Sequence, residues 1–537
     1  MFQPTTSIVH QPTINDPMVK AGRCSRCKGV DAEDLPVACT VVEGGPCSAC
    51  KEWADIQGQI KRLEEEIIKL KEKHHALRTT MNSIHDPFIH KLPPEIASHI
   101  FRLCLPTLDF GELYPWPKRR EVTGILRLGG VCRKWRQLAW ATPNLWEMLY
   151  LGIEPATTNS LAKSLPGLIE EWLGRSGVLP LTIFFVNDYS GRPEIEFAIT
   201  RIIEVMNLHS GRWRNLYLDV GADIPERLSG SMDRNRLFIL DLAVNGRRSS
   251  TPKFVMESKP FPTYLTLENF PPTSIDIGWD NITHATLHTL SADECIEILR
   301  RAPALEHCHV REFMEQSGDN VLETFIHSRL RTLDTSDGAR KFLNRINVPS
   351  LEQWTHNHER GFLPVTAMVS LVERSSCCLK ILNLNDISAG QNDLPILFQA
   401  MPSLERLQMH FRSSTRDRND AMDDILVRIF RSPPDKSTTP ADAARETFLP
   451  RLQFMEYIAI STPFPWDQVP QLYRQGHRRS LTLKSSTKES RISDVTAMEL
   501  LKLVDEGAQF HILDTFTDGD FLENFRRRIT GREGSLS

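Results

Sequence analysis

The sequence predicts an α/β protein in which a helical N-terminal part precedes a long solenoid of parallel strands and helices. Three observations carry this reading. Apolar residues step by four and three from Ile56 to Ile84, the seam of a coiled coil. Two further amphipathic segments lie between Leu92 and Trp146. Beyond Trp146 the pattern L-x-x-L-x-L returns at nearly constant spacing.

At 537 residues the chain is too long for one ordinary core. Lys+Arg 64 against Asp+Glu 68 gives a net charge of −4, so the balance does not favour nucleic acid as a partner. The longest apolar run, about Val178 to Val186, falls far short of the roughly 20 residues a membrane helix requires. Residues 1–20 are polar with scattered prolines and lack the apolar core of a secretory signal. Eleven cysteines without such a signal point to reduced thiols, metal ligands or buried packing. The expected compartment is cytoplasm, nucleus or both, with no membrane contact.

Residues 1–51 are Cys-rich. Cys24-Ser25-Arg26-Cys27 and Cys47-Ser48-Ala49-Cys50 are two CxxC pairs, and each such turn presents two thiolates on one side of a loop. Two pairs at this spacing complete a tetrahedral S4 site for one structural zinc. A flexible tail with free cysteines remains the other reading of so short and polar a segment. The order Cys24, Cys27, Cys39, Cys47, Cys50, followed by a heptad pattern, resembles the fungal binuclear zinc-cluster transcription factors. The chain departs from that family twice. No sixth cysteine follows Cys50, and Asp31-Ala32-Glu33-Asp34 stands where the family carries basic residues. Carboxylates there would repel phosphate.

Residues 52–85 form the expected coiled coil. Ile56, Ile60, Leu63, Ile67, Leu70, His74, Leu77, Met81 and Ile84 make a heptad seam with one polar position, under a mixed charged exterior of Glu64, Glu65, Glu66, Lys69, Lys71, Glu72 and Lys73. Such a helix is about 40 Å long. It either pairs with a second copy or folds back on the chain, and the narrow one-sided seam favours a homodimer. Asp86-Pro87-Phe88 ends it, because the residue before proline avoids helical backbone.

Residues 88–150 are predicted as a helical module. Pro93 and Pro94 suit a helix start, and Ile96, Ile100, Phe101, Leu103 and Cys104 follow at helical spacing. Val131, Trp135 and Leu138 repeat the pattern with Arg133, Lys134 and Arg136 on the wet side. A proline-rich insert, Tyr114-Pro115-Trp116-Pro117, loosens the middle. Periodicity alone fits a helical hairpin with a private core. The ordered set Leu92-Pro93-Pro94-Glu95-Ile96, Val131-Cys132-Arg133-Lys134-Trp135 and Pro143-Asn144-Leu145-Trp146 is more specific, and it resembles an F-box. That resemblance implies docking on the adaptor subunit of an SCF-type (cullin–RING) ubiquitin ligase. It implies that Leu92, Pro93, Ile96, Ile100, Phe101, Val131, Cys132, Trp135 and Leu138 carry the contact.

Residues 151–515 read as the solenoid. The motif begins at Trp213, Leu237, Phe261, Ile282, Leu305, Leu330, Leu351, Leu379, Leu404 and Leu452. The steps are 24, 24, 21, 23, 25, 21, 28 and 25 residues, then 48, which reads as two repeats with one unrecognised. These lie in the range of leucine-rich repeats. The later apolar pair of each motif points one way from a short strand and the residue between them points the other. Segments such as Ala292 to Ala302 supply helices between strands. The between-leucine residues Tyr217, Asp241, His309, Asp334, Asn383, Gln408 and Glu456 are therefore expected to line a concave face that binds a target protein. Residues 432–447, rich in Pro, Ser, Thr and charge, read as a surface loop open to phosphorylation, and 516–537 as a tail with the basic triplet Arg526-Arg527-Arg528.

The whole layout, including Trp172-Leu173 and Leu179-Pro180-Leu181, resembles F-box proteins with irregular leucine-rich repeats that abound in mushroom-forming fungi. No P-loop, GxGxxG, GxSxG, HExxH or kinase signature occurs, so no enzyme and no certain cofactor is expected. His307-Cys308-His309 reads as strand and His356-Asn357-His358 as loop, neither as a metal site. The function implied is a ubiquitin-ligase substrate receptor. The alternatives are a non-ligase dimeric scaffold and a degenerate zinc-cluster DNA-binding protein.

Overall fold

The computed structural model describes residues 48–85, 92–106, 119–187, 192–230, 237–245, 251–314, 324–358, 363–387, 393–411, 420–430, 448–459, 464–475, 481–487, 492–514 and 519–533. Cys24, Cys27, Cys39 and Cys47, most of the proline-rich insert, and loop 432–447 lie outside them. Two compact units divide the chain, Met1–Ala97 with Cys132–Trp135, and Ser98–Val131 with Arg136–Ser537. Among the described residues no helix is long and apolar enough to cross a membrane.

Helix α1 (Ser48–His85) carries the heptad pattern. It starts inside the segment expected to be Cys-rich and irregular, so Cys50 belongs to its first turn. Its seam residues from Ile56 to Ile84 are exposed. It ends just before Asp86-Pro87. Helices α2 (Pro94–Leu103), α3 (Gly124–Val131) and α4 (Arg133–Trp140) follow.

A fifteen-stranded sheet dominates the second unit. Its strands are β1 (Met148–Ile153), β2 (Leu181–Asn187), β3 (Trp213–Gly221), β4 (Ile239–Asn245), β5 (Tyr264–Glu268), β6 (His284–His288) and β7 (His307–Val310). Two short strands, β8 (Phe325–Ile326) and β10 (Ile346–Asn347), pair with each other aside from it. The main sheet continues through β9 (Thr332–Ser336), β11 (Gln353–Asn357), β12 (Ile381–Ile387), β13 (Arg406–Phe411), β14 (Phe454–Ala459), β15 (Thr482–Thr487), β16 (Phe510–Asp514) and β17 (Gly519–Asp520). Neighbours in the sheet are neighbours in sequence, and every pair is parallel except β16 with β17. Parallel neighbours need a crossover of a dozen or more residues, which is what a repeat of 21–28 residues provides.

Each predicted motif from Trp213 to Leu452 runs into a strand. The inward pair of each fills one fully buried face, apolar in most, as Leu216 and Leu218, Leu240 and Leu242, Leu382 and Leu384 show, with Thr335 in β9 and His356 in β11 the polar members. Crossover helices α5 (Asn159–Arg175), α6 (Pro193–Leu208), α7 (Ala292–Arg301), α8 (Val365–Ser375) and α9 (Asp494–Asp505) are amphipathic, α6 burying Ile195, Ile199, Ile202, Ile203 and Met206. Ser291 and Glu294 close a reciprocal capping box at the start of α7.

Three expectations need correction. The 48-residue step adds no strand to the sheet among the described residues, because β13 and β14 are hydrogen-bonded neighbours with the helix Asp420–Phe430 between them in sequence. Not every repeat has a helix. The β5–β6 link carries only the 3-10 turn Pro272–Ser274, since Pro271-Pro272 in so short a segment forbids a longer one. His356 is not in a loop either. It lies inside β11, where register with Thr335 of β9 and Leu384 of β12 holds a polar stretch in the sheet.

Candidate functional site

The first region of interest is the helical module. The carbonyl of Pro93 accepts from the backbone N–H groups of Ile96 and Ala97, 3.1 Å each, and so starts α2. Ala97 and Phe101, four residues apart, are the buried face, with Phe101 only 1% exposed. Ile96 (48% exposed), Ile100 (half-buried) and Leu103 (70% exposed) run along the other side. The expected role of Phe101 as a contact residue thus gives way to a core position. In α3, Ile125 and Gly129 are buried while Leu126 and Val131 face solvent. The Sγ of Cys132 accepts from the backbone N–H of Trp135 at 3.4 Å, three residues on, as a helix-capping side chain does. Cys132, Trp135 and Leu138 are half-buried, Leu92 likewise, and Pro93 is exposed.

Trp146 closes the module onto the sheet. It is 1% exposed and its Nε1–H donates to the Ala139 carbonyl at 2.8 Å. Its ring meets Trp172 edge-on, with centroids 4.7 Å apart, and Trp172 Nε1–H donates to the Met148 carbonyl. The Arg175 guanidinium lies 4.4 Å from the Trp140 ring and 4.6 Å from that of Trp146. Ser98 and Thr142 hydroxyls, 2.9 Å apart, tie α2 to the end of α4. The Pro143–Trp146 motif therefore joins module and first strand; sequence reasoning recognised the motif but not this job.

Residues 89–152 match the F-box-like domain family. This stretch is an F-box-like domain. The match takes in β1, so the domain runs directly into the sheet. No curated protein matches the chain.

The second region is the sheet face opposite the leucines. In register, one residue per strand makes a continuous row: Tyr150, Phe184, Tyr217, Asp241, Thr266, Thr286, His309, Asp334, Thr355, Asn383, Gln408, Glu456, Lys484 and His511. All seven between-leucine residues fall in it. They are not equally available. Tyr217, Asp241 and Glu456 are buried, whereas His309, Asp334, Asn383 and Gln408 are half-buried. Phe184 and Tyr217 stack at 4.4 Å and form, with Ile239, a second small core. Burial, and then the nearby Asp241, push the Tyr217 phenol up.

The polar half of the row is cross-linked. Asn383 Nδ2 donates to Thr355 Oγ1 at 3.2 Å, and Gln408 Nε2 to Glu456 Oε2 at 2.8 Å. Lys484 Nζ lies 2.7 Å from Glu456 Oε1, and His309 Nδ1 3.6 Å from Asp334 Oδ2. Burial raises the Asp334 carboxyl, against the pull of His309 and the Thr355 hydrogen bond, and burial likewise lowers His309. Thr355, Lys484 and His511 were not anticipated, although their between-leucine position in register could have revealed them. Alongside, Tyr264, His284 and His307 stack at 4.3 Å steps, an aromatic ladder the leucine pattern does not signal.

Proposed function

We propose that the chain is the substrate-receptor subunit of an SCF-type (cullin–RING) ubiquitin ligase, its F-box-like domain binding the adaptor and its sheet face binding the target. The observation that carries the reading is the F-box-like domain at 89–152. Exposed Ile96, Leu103, Leu126 and Val131 support it, since apolar side chains left in water by such a module favour a partner that covers them. In this reading the chain performs no catalysis itself; it holds a target while other subunits transfer ubiquitin. Half-buried His309, Asp334, Thr355, Asn383, Gln408 and Lys484 are the contacts proposed for that target, in the cytoplasm or nucleus. The exposed seam of α1 favours a homodimer, which would present two receptors.

Co-purification of the full chain with the purified adaptor tests the proposal. Wild type should retain the adaptor, and Leu92→Ala/Pro93→Ala should lose it with the sheet intact by circular dichroism. Adaptor retained equally by the double variant would remove the F-box from the binding account.

A further inference from the structure

Asp337, His356 and His358 stand together at the C-terminal edge of two adjacent strands. β9 and β11 pair in parallel with Thr335 opposite His356 and Ser336 opposite Asn357. The next residues, Asp337 and His358, therefore leave the two strands side by side. His356 is two positions before His358 and shares its face. One nitrogen or oxygen from each of the three lies within 4.8 Å of the others. Asp337 Oδ1 and His358 Nδ1 are already 2.7 Å apart. Donors bonded at about 2.0 Å to one tetrahedral ion lie roughly 3.3 Å apart, so small side-chain rotations complete such a geometry.

The imidazoles are 0% and 2% exposed. His356 Nδ1 is 2.9 Å from Thr335 Oγ1, an oxygen that also accepts the Trp354 indole N–H at 3.0 Å. Among the described residues the opposite nitrogen, Nε2, is buried with no hydrogen-bond partner. A buried polar atom is normally satisfied. A histidine held by one ring nitrogen with the other turned to a site is the usual posture of a metal ligand. Asp337 also lines a cleft of about 360 Å³ with Gly338, Arg340, Leu363, Val365 and Asp393, so one of the three side chains borders open space. The backbone supports this position: Gly338 turns at φ +83, and a Cβ there would meet Phe313 Cβ at 3.0 Å.

We propose that Asp337, His356 and His358 bind a divalent transition metal of the zinc class, with water from the cleft as fourth ligand. Two imidazoles and one carboxylate suit zinc better than calcium or magnesium, which take all-oxygen shells. The ion would fasten β9 to β11 at the edge where parallel sheets carry their ligands. Nothing in the adaptor-binding reading requires it.

The test uses the full chain with Cys24, Cys27, Cys47 and Cys50 changed to serine, so that neither CxxC pair can hold the probe. After dialysis against zinc and then metal-free buffer, elemental analysis should find one zinc per chain. His356→Ala or His358→Ala should lower that at least tenfold, and Asp337→Asn should weaken affinity. Because a buried histidine variant can unfold, cobalt(II) is loaded into the four-serine chain with its histidines intact. Its visible bands should report nitrogen and oxygen ligands. A four-serine chain that retains no zinc, or one whose folded His356→Ala form keeps it, overturns the proposal.

Discussion

Trp146 shows how one side chain can serve two structures at once. It is buried, hydrogen-bonded to Ala139, and pressed against Trp172 and Arg175, so it fastens the F-box-like domain to the first strand and helix. Trp146→Ala should destabilise the chain by about 3–5 kcal/mol in denaturant unfolding, the range for losing a large core aromatic. A change below about 1 kcal/mol would show that the junction collapses around the gap. At the same scale, His284 and His288 are each lowered to about 4, first by burial and then by the neighbouring His307 and Arg311 respectively. Glu306 opposes the shift at His284, and His309 adds to it at His288. Since the unfolded value is near 6.5, the unfolded chain takes up protons first as pH falls. Stability is therefore full above about pH 6.5 and declines toward about pH 4. Chemical unfolding at pH 7 and pH 5 checks this, and His284→Asn should reduce the difference, with His288 keeping the rest. The misread residue was His356. Its stretch, Thr355-His356-Asn357, has no apolar alternation, and only pairing with β9 and β12 makes it strand.

Among the elements, strands were the most legible. Their L-x-x-L-x-L pattern states both period and face, and the residue between leucines gave the polar row before any pairing was known. Lengths of connection were less legible. The interval between Leu404 and Leu452 equals two repeats in residue count yet joins adjacent strands, because composition does not distinguish an inserted loop from an unrecognised repeat. Which between-leucine residues are buried was also hidden, since that depends on what covers the second face near β2–β5. Local capping offers a test at this scale. Ser291 accepts from the Glu294 backbone N–H and Glu294 returns a bond to the Ser291 N–H. Ser291→Ala should cost about 1 kcal/mol, measured by thermal unfolding. The proposed pairing of α1 is checked by sedimentation of the full chain, in which wild type should run as a dimer and Ile60→Asp/Ile67→Asp as a monomer. A wild-type monomer at tens of micromolar would assign the seam another partner.

For the molecule as a whole, the proposed function assigns two tasks to different parts of the sequence. An F-box-like domain with exposed apolar residues precedes, in sequence, a long mostly parallel sheet with a polar row on one face. The three motifs of residues 92–146 were legible because side-chain identities at fixed offsets mark such a domain even without knowledge of its packing. The target that the proposed function assigns to the sheet was not legible, for the row's polar groups are largely engaged with one another.

The proposed adaptor interaction is tested most directly by its affinity. Titrating purified adaptor into the full chain by calorimetry should give submicromolar binding. Ile96→Asp, which charges an exposed position without touching the core, should weaken it at least a hundredfold while the unfolding free energy stays within about 0.5 kcal/mol of wild type. No heat of binding by wild type, or equal affinity in the variant, would contradict the account.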